Sequence, residues 1–369
     1  MRRLFFLATT ILLIELFTYI GAKGIFWLIK PYLPNAKTAV FAGMFVITHL
    51  FLVTLFVGMF RFGMGYMAVL WLGVLSIIMT TLLVFAIKHI PSFGAIMGGV
   101  DGVMVRVFGV ASFLGLVGLS VYNAYTPVVR HLSIQIDKPM NPVRVAVASD
   151  THLGYLVGSR QLNRLADILR REKADMLLMP GDIMDDDTHV YHGEKMHTAF
   201  DNLVASVNGN LIASLGNHDL YNAKERHAIV QAVRDSGAIL LDDTAQTFVI
   251  NGTPMTIIGR YDDHYADRLP THELIHGVDT RHPVILLDHR PSQIDQNTEL
   301  PIDLQVSGHT HNGQVFPANF IVKAINRVAY GHEKINGTHV VVSSGYGFWG
   351  VPFRLGSQAE VWVIDMRGK

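Results

Sequence analysis

Five short clusters in the sequence carry side chains able to hold cations or move protons. They are Asp150-Thr151-His152, Gly181-Asp182-Ile183-Met184-Asp185, Gly216-Asn217-His218-Asp219, Asp288-His289-Arg290-Pro291 and Gly308-His309-Thr310-His311-Asn312-Gly313-Gln314. Each follows a short apolar run, where a strand would end and a turn begin. An Asp and a His separated by one residue can both turn toward one cation. Glycine ahead of Asp182 lets the backbone approach closely, so its two carboxylate oxygens can be shared between two cations. Asn217 offers a neutral amide oxygen, and it equally suits the cap of a following helix. His218 supplies an imidazole that need not touch metal. With Asp219 able to hold its ring, it suits protonation of a leaving alkoxide. His309 and His311 alternate along an extended segment, which puts both imidazoles on one side, spaced for two adjacent ions.

Taken singly, each cluster also fits an ordinary turn or a surface pair. Taken together, they supply carboxylates, imidazoles and one amide to one region, and five coincident turns is the poorer explanation. The chain has no cysteine, which excludes disulfides, thiolate catalysis and Cys-ligated zinc. Mixed nitrogen and oxygen donors suit Mn, Fe, Zn or Co better than Ca or Mg. Two such ions about 3.5 to 4 Å apart would activate a bridging hydroxide, clamp a phosphoryl group and stabilise the departing oxygen.

The elements that must position these clusters begin after Pro127. Short β-branched runs there alternate with helical stretches, the pattern of a layered α/β domain. Strands are expected over 132–136, 143–148, 176–179, 211–214, 247–250, 255–258, 284–287, 304–306, 339–342 and 360–364. Helices are expected over 159–172, 192–207 and 222–236. The polar clusters sit at the C-terminal ends of strands, where α/β sheets commonly place ligands.

The first third of the chain is of another kind. Of its 369 residues, half are hydrophobic and 16% are charged, well below the roughly 25% of a soluble domain. Residues 1 to 129 hold only ten of the sixty Asp, Glu, Lys and Arg residues. Four apolar runs of about 20 residues, each long enough to cross a bilayer as a helix, lie near 4–29, 38–60, 64–87 and 103–125. Turn signals separate them, including a stretch over Lys88 to Gly99. The first run, behind Arg2 and Arg3, is also compatible with a signal peptide, but its length and the runs that follow favour a retained helix. Lys and Arg are nearly balanced between the two sets of loops, so orientation stays open. An even number of spans puts the N-terminus and the C-terminal region on one face of the membrane. Glu15 and Arg106, in or near apolar runs, are read as an ion pair or as snorkelling side chains, with a transport or ligand site as the other reading. His49 is read as a packed, hydrogen-bonded side chain.

The ordered motifs Asp-X-His, Gly-Asp-X-X-Asp, Gly-Asn-His-Asp, a lone His and Gly-His-X-His resemble the calcineurin-like metallophosphoesterase superfamily, over roughly 144–364. The tail, Ser343 to Phe348 with Arg354 and Glu360, is similar to a membrane-associated bacterial branch. The apolar runs make 1–126 an all-α region of four transmembrane helices, and the resemblance implies a four-layer αββα sandwich over 127–369. It implies one divalent ion on Asp150, His152 and His311, a second on Asn217, His289 and His309, and Asp182 bridging both. His218 would be the non-ligand imidazole near phosphate, with Asp219 its partner. The implied chemistry is hydrolysis of a phosphomonoester or phosphodiester in a multi-pass protein of a bacterial membrane. Four membrane helices extend the substrate range to a lipid-linked or membrane-proximal ester, with membrane lipids as the surroundings. A transporter or sensor whose metal domain binds a phosphorylated ligand without turnover is the alternative. The formal net charge is zero, so no basic field for nucleic acid is indicated. Arg290 and Arg354 are each read either as phosphate contacts or as structural ion pairs, and 260–264 as a solvated loop or a recognition element.

Overall fold

The computed structural model describes residues 2–92 and 101–369; part of the expected turn over Lys88 to Gly99 therefore lies outside the described residues. The chain divides into two compact units, Met1–Val121 and Tyr122–Lys369.

The first unit contains the helices α1 (Arg2–Ile29), α2 (Lys37–Thr54), α3 (Phe60–His89) and most of α4 (Gly102–Tyr125). All four are long and apolar enough to cross a membrane. Several of their polar side chains find partners inside the unit, as an apolar solvent favours. The Thr18 hydroxyl donates to the carbonyl of Ile14 and meets Thr48, whose hydroxyl lies 2.6 Å from that of Tyr66. Ser76 donates to the carbonyl of Gly109. Nδ1 of His49 donates to the carbonyl of Phe45, and its Nε2 lies 3.1 Å from Glu15. The Arg106 guanidinium donates to the carbonyl of Gly102 and stands over the Trp27 ring. Glu15 and Arg106 thus both have partners.

The second unit holds two six-stranded sheets. Its strands are β1 (Val128–Ile136), β2 (Val143–Val147), β3 (Met176–Pro180), β4 (Leu211–Ser214), β5 (Ile239–Leu240), β6 (Thr244–Ile250), β7 (Thr253–Gly259), β8 (Val284–Leu287), β9 (Leu304–Ser307), β10 (Gly331–Ile335), β11 (Thr338–Val342) and β12 (Glu360–Gly368). One sheet runs β1-β12-β2-β3-β4-β5, the other β10-β11-β9-β8-β7-β6. Alternation along the strands explains the layering. Val145, Val147, Leu178 and Ile212 of the first sheet share a core with Ile257, Ile285, Leu287 and Val306 of the second. The intervening residues point outward. Ala146, Leu177 and Ala213 pack on α5 (Ser159–Glu172), α7 (His197–Ala205) and α9 (Arg226–Asp235) through Leu165, Phe200 and Ile229. Ile258, Val284 and Leu286 pack on Leu274 of the short α10 (Thr271–Leu274), and Val340 on Ile294 of α11 (Ile294–Asn297). The result is a four-layer αββα sandwich. Each fully buried Leu or Ile contributes about 1.5 to 3 kcal/mol.

Two local departures from expectation have physical causes. The helix expected over 192–207 is two helices, α6 (His189–Gly193) and α7, because Lys195 between them takes a left-handed φ of 49°. The strand β10 was not expected: its His332, Glu333 and Lys334 form no apolar run, and pairing with β11 alone makes it a strand. The second unit includes the last turn of α4 from Tyr122, where the Asn123 side chain donates to the carbonyl of Arg354 and the Asn123 carbonyl accepts from the Ala359 amide.

Candidate metal centre

All five clusters meet where β2, β3, β4, β8 and β9 end, with Asn217 and His218 opening α8 (Asn217–Tyr221). Ordinary strand or helix backbone does not bring the side chains together. Asp150, His152, Asp182, His309 and His311 all adopt left-handed φ values between 45° and 67°, a conformation that costs energy for residues other than glycine. Close backbone approach does the rest: a Cβ on Gly216 would overlap the Asp182 carboxylate, and one on Gly308 would overlap that of Asp150.

Two nests of donor atoms result. In one, ligand atoms of Asp150, His152 and His311 all lie within 4.8 Å of one another; in the other, those of Asp182, His289 and His309 do. In the first, His152 Nε2 and His311 Nε2 are 3.2 Å apart, and His311 Nε2 is 3.5 Å from Asp150 Oδ1. In the second, Asn217 Oδ1 lies 2.8 Å from His309 Nδ1. Asp182 Oδ2 lies between the nests, 3.7 Å from His152 Nε2 and 3.2 Å from His289 Nε2. Asp182 Oδ1 accepts from the His218 amide. Burial alone would raise the Asp182 carboxyl, yet His289, His152 and His218 outweigh it and hold the group far below the ordinary carboxylate range.

The donor set fits two divalent ions. Nε2 of His289, which faces the nest, is buried without a hydrogen-bond partner, an expensive condition for a neutral interior. Imidazole nitrogens converging on one another and on carboxylates are what a shared cation would relieve. His289 Nδ1 donates to the carbonyl of Pro180; burial pulls this imidazole down, but Asp182 and Asp150 outweigh it and raise it to about 10, and in the neutral ring the Nε2 lone pair faces the nest.

His218 stands beside both nests, its ring 4.9 Å from that of His152. The expected His218–Asp219 pair does not form. His218 Nδ1 lies 2.7 Å from Asp186 Oδ1. Burial pulls His218 down, but Asp186, Asp182 and Asp185 outweigh it and raise the imidazole to about 9. Asp219 is fully buried and accepts from the amides of Ile183, Met184 and Gly216. It therefore fastens the Asp182 loop to the Asn217 loop, because its oxygens point at backbone rather than at the imidazole one residue away. Asp186 carried no distinct signal in the sequence: it is the middle member of the acidic run Asp185-Asp186-Asp187.

The two arginines are ion-paired or hydrogen-bonded within the unit. Arg290 lies 3.0 Å from Asp263 and 3.6 Å from Asp262, and its guanidinium donates to His264 Nδ1. The segment 260–264 is thus tied to the residue following His289. Arg354 is fully buried and donates to the carbonyls of Ser344 and Gly347 and to His311 Nδ1. The same strap covers the first cluster, with the amides of Tyr346 and Gly347 donating to the carbonyls of Ser149 and Asp150.

Comparison with known proteins agrees with this geometry. Residues 143–313, which hold every candidate ligand, match the model of the Calcineurin-like phosphoesterase family. An "Uncharacterized metallophosphoesterase" of Aquifex aeolicus is 30% identical over 237 residues, covering 62% of this chain and 86% of its own. One of Helicobacter pylori (strain J99) is 30% identical over 66% of this chain, which spans 65% of that relative's length. A "Transmembrane protein with metallophosphoesterase domain" of Danio rerio is 27% identical, over 70% of this chain and 61% of its own. With two adjacent nests of possible metal ligands at the strand ends of an αββα sandwich, and relatives that share this region at such identity, the chain belongs to the calcineurin-like metallophosphoesterase family.

Proposed function

We propose that the chain hydrolyses a phosphomonoester or phosphodiester at this centre. The observation that carries the proposal is Asp182 Oδ2, one oxygen set between His152 and His289 at 3.7 and 3.2 Å. In this reading Asp150, His152 and His311 hold one divalent ion, Asn217, His289 and His309 hold a second, and Asp182 is shared. The pair, when bound, supplies Lewis acidity that activates water and neutralises phosphoryl charge. The chain's own residues do the rest. His218, oriented by Asp186, holds a proton at its outer ring nitrogen for the departing alkoxide. Asp219 keeps the Asp182 and Asn217 loops in register, so that His218 and the shared carboxylate keep a constant separation.

The four apolar helices support a multi-pass membrane protein and a substrate at the bilayer, including a lipid-linked ester, and the relatives from Helicobacter pylori and Aquifex aeolicus support a bacterial membrane. The test is turnover of an aryl phosphate monoester and diester by the full chain in lipid nanodiscs, stripped of metal and resupplied with Mn, Zn, Fe or Co. Metal-dependent turnover lost in Asp182→Asn supports the reading; two bound ions without turnover of either ester, or of a lipid-borne one, overturns it.

A further inference from the structure

The exposed apolar side chains of the second unit are not scattered. Beyond residue 126, ten large hydrophobic residues are exposed among the described residues, and eight of them fall in three segments, 155–156, 221 and 316–349. Each segment adjoins the candidate centre. Tyr155 and Leu156 follow the Asp150–His152 loop. Tyr221 ends α8, with its ring 5.3 Å from that of His218, and Trp349 stands 6.3 Å from the same imidazole.

The third segment includes the helix α12 (Ala318–Ile325), none of whose eight residues is buried. Phe320, Ile321 and Ile325 are 62%, 61% and 74% exposed. They share one face of the helix with Ala324, at spacings of one, four and five residues. A globular unit ordinarily turns such a face inward. The helix is held in place at its start, because a Cβ on Gly313 would overlap the backbone of Ala318 and Asn319, and Gly313 lies two residues past His311.

We infer that this face of the second unit, with α12 as its principal contact, inserts into the surface of a lipid bilayer and brings the mouth of the candidate centre to the lipid. Two observations favour a bilayer over another protein. The chain carries four helices able to cross one. The last turn of the fourth, counted within the second unit, is anchored on the segment that bears Trp349. There the Tyr125 ring meets Phe348 edge-on at 5.2 Å, and Asn123 bonds to the backbone of Arg354 and Ala359. An apolar helix face that includes Phe320, with Lys323 in the same helix and Trp349 in the same segment, matches an interfacial helix.

The chain has no cysteine, so single labels can be placed without background. Phe320→Cys, Ile325→Cys and, as a control, Arg281→Cys, whose native side chain is 86% exposed, would each carry an environment-sensitive fluorophore. The full chain is reconstituted in vesicles of phosphatidylcholine and phosphatidylglycerol with or without brominated acyl chains. The expected result is a loss of about half the emission at 320 and 325 with brominated lipid and none at 281. Quenching at 320 and 325 by aqueous iodide but not by brominated lipid overturns the proposal, and so does shielding from both, which would mean that protein covers the face. Catalysis is not part of the readout, so this result stands apart from the fate of the hydrolysis reading.

Discussion

Behind His289 stands a carbonyl, and behind His311 stands a guanidinium. In a neutral His289 ring the Nδ1 proton goes to the Pro180 carbonyl, which turns the Nε2 lone pair toward the nest. Arginine can only donate, so His311 Nδ1 accepts from Arg354, and the proton of a neutral His311 ring sits on Nε2, the atom that faces Asp150 and His152. An ion entering that half must displace this proton or turn the ring from Arg354. Two nests alike in donor type therefore need not be alike in affinity. The Arg354 guanidinium, 3.1 Å from His311 Nδ1, also sets a fixed positive charge behind that half, so the half with Asp150, His152 and His311 is expected to bind its ion more weakly. Arg354 is there for another reason, to tie the strap 343–348 over the Asp150 loop.

The most severe test removes what the two halves share. Asp182→Asn is expected to lower metal-dependent turnover by at least about 10³-fold and to deplete both ions, as read by elemental mass spectrometry after gel filtration. A variant that keeps both ions and its rate would show that Asp182 does not link them. His218→Ala leaves both halves intact, so metal content should hold while turnover of an alkyl phosphate falls by about 10² to 10³-fold. An aryl phosphate, whose leaving group needs less protonation, should suffer less, and equal losses would argue against a proton-donor role.

The halves are separated directly by His289→Gln and His311→Gln. Chelator titration of the unaltered chain should resolve two ions differing in affinity by about tenfold or more. His311→Gln should delete the weaker class and His289→Gln the tighter; a single class, or the reverse assignment, sinks the asymmetry. The smallest expected effect belongs to Asp186→Asn. The Asp186 side chain is 52% exposed, and an exposed pair contributes about 1 kcal/mol at most, so a loss of about fivefold in turnover is expected. A loss as large as that of His218→Ala would make Asp186 part of the proton-transfer machinery itself.

Much of this centre was legible in the sequence because its parts are local. Asp150 and His152, or His309 and His311, lie two residues apart, and a run such as Val284–Leu287 announces the strand that carries the next cluster. The partner of His218 was not legible. Asp219 is its neighbour in sequence, but the turn opening α8 aims that carboxylate at the amides of Ile183, Met184 and Gly216, while a chain segment 32 residues away supplies Asp186. The break at Lys195 was likewise hidden, since a left-handed residue inside an amphipathic stretch leaves the apolar pattern on either side intact.

Composition and pattern suffice for four apolar helices, an alternating α/β unit and an oxygen- and nitrogen-rich centre without thiolates. Those properties depend on residue type and short-range period, which folding does not alter. The folded chain alone settles which ring nitrogen of each histidine faces the nest, which aspartate holds His218, and that Arg354 backs His311. These depend on hydrogen bonds between segments far apart in the chain, and on backbone held in left-handed conformations that its own residues would not choose alone.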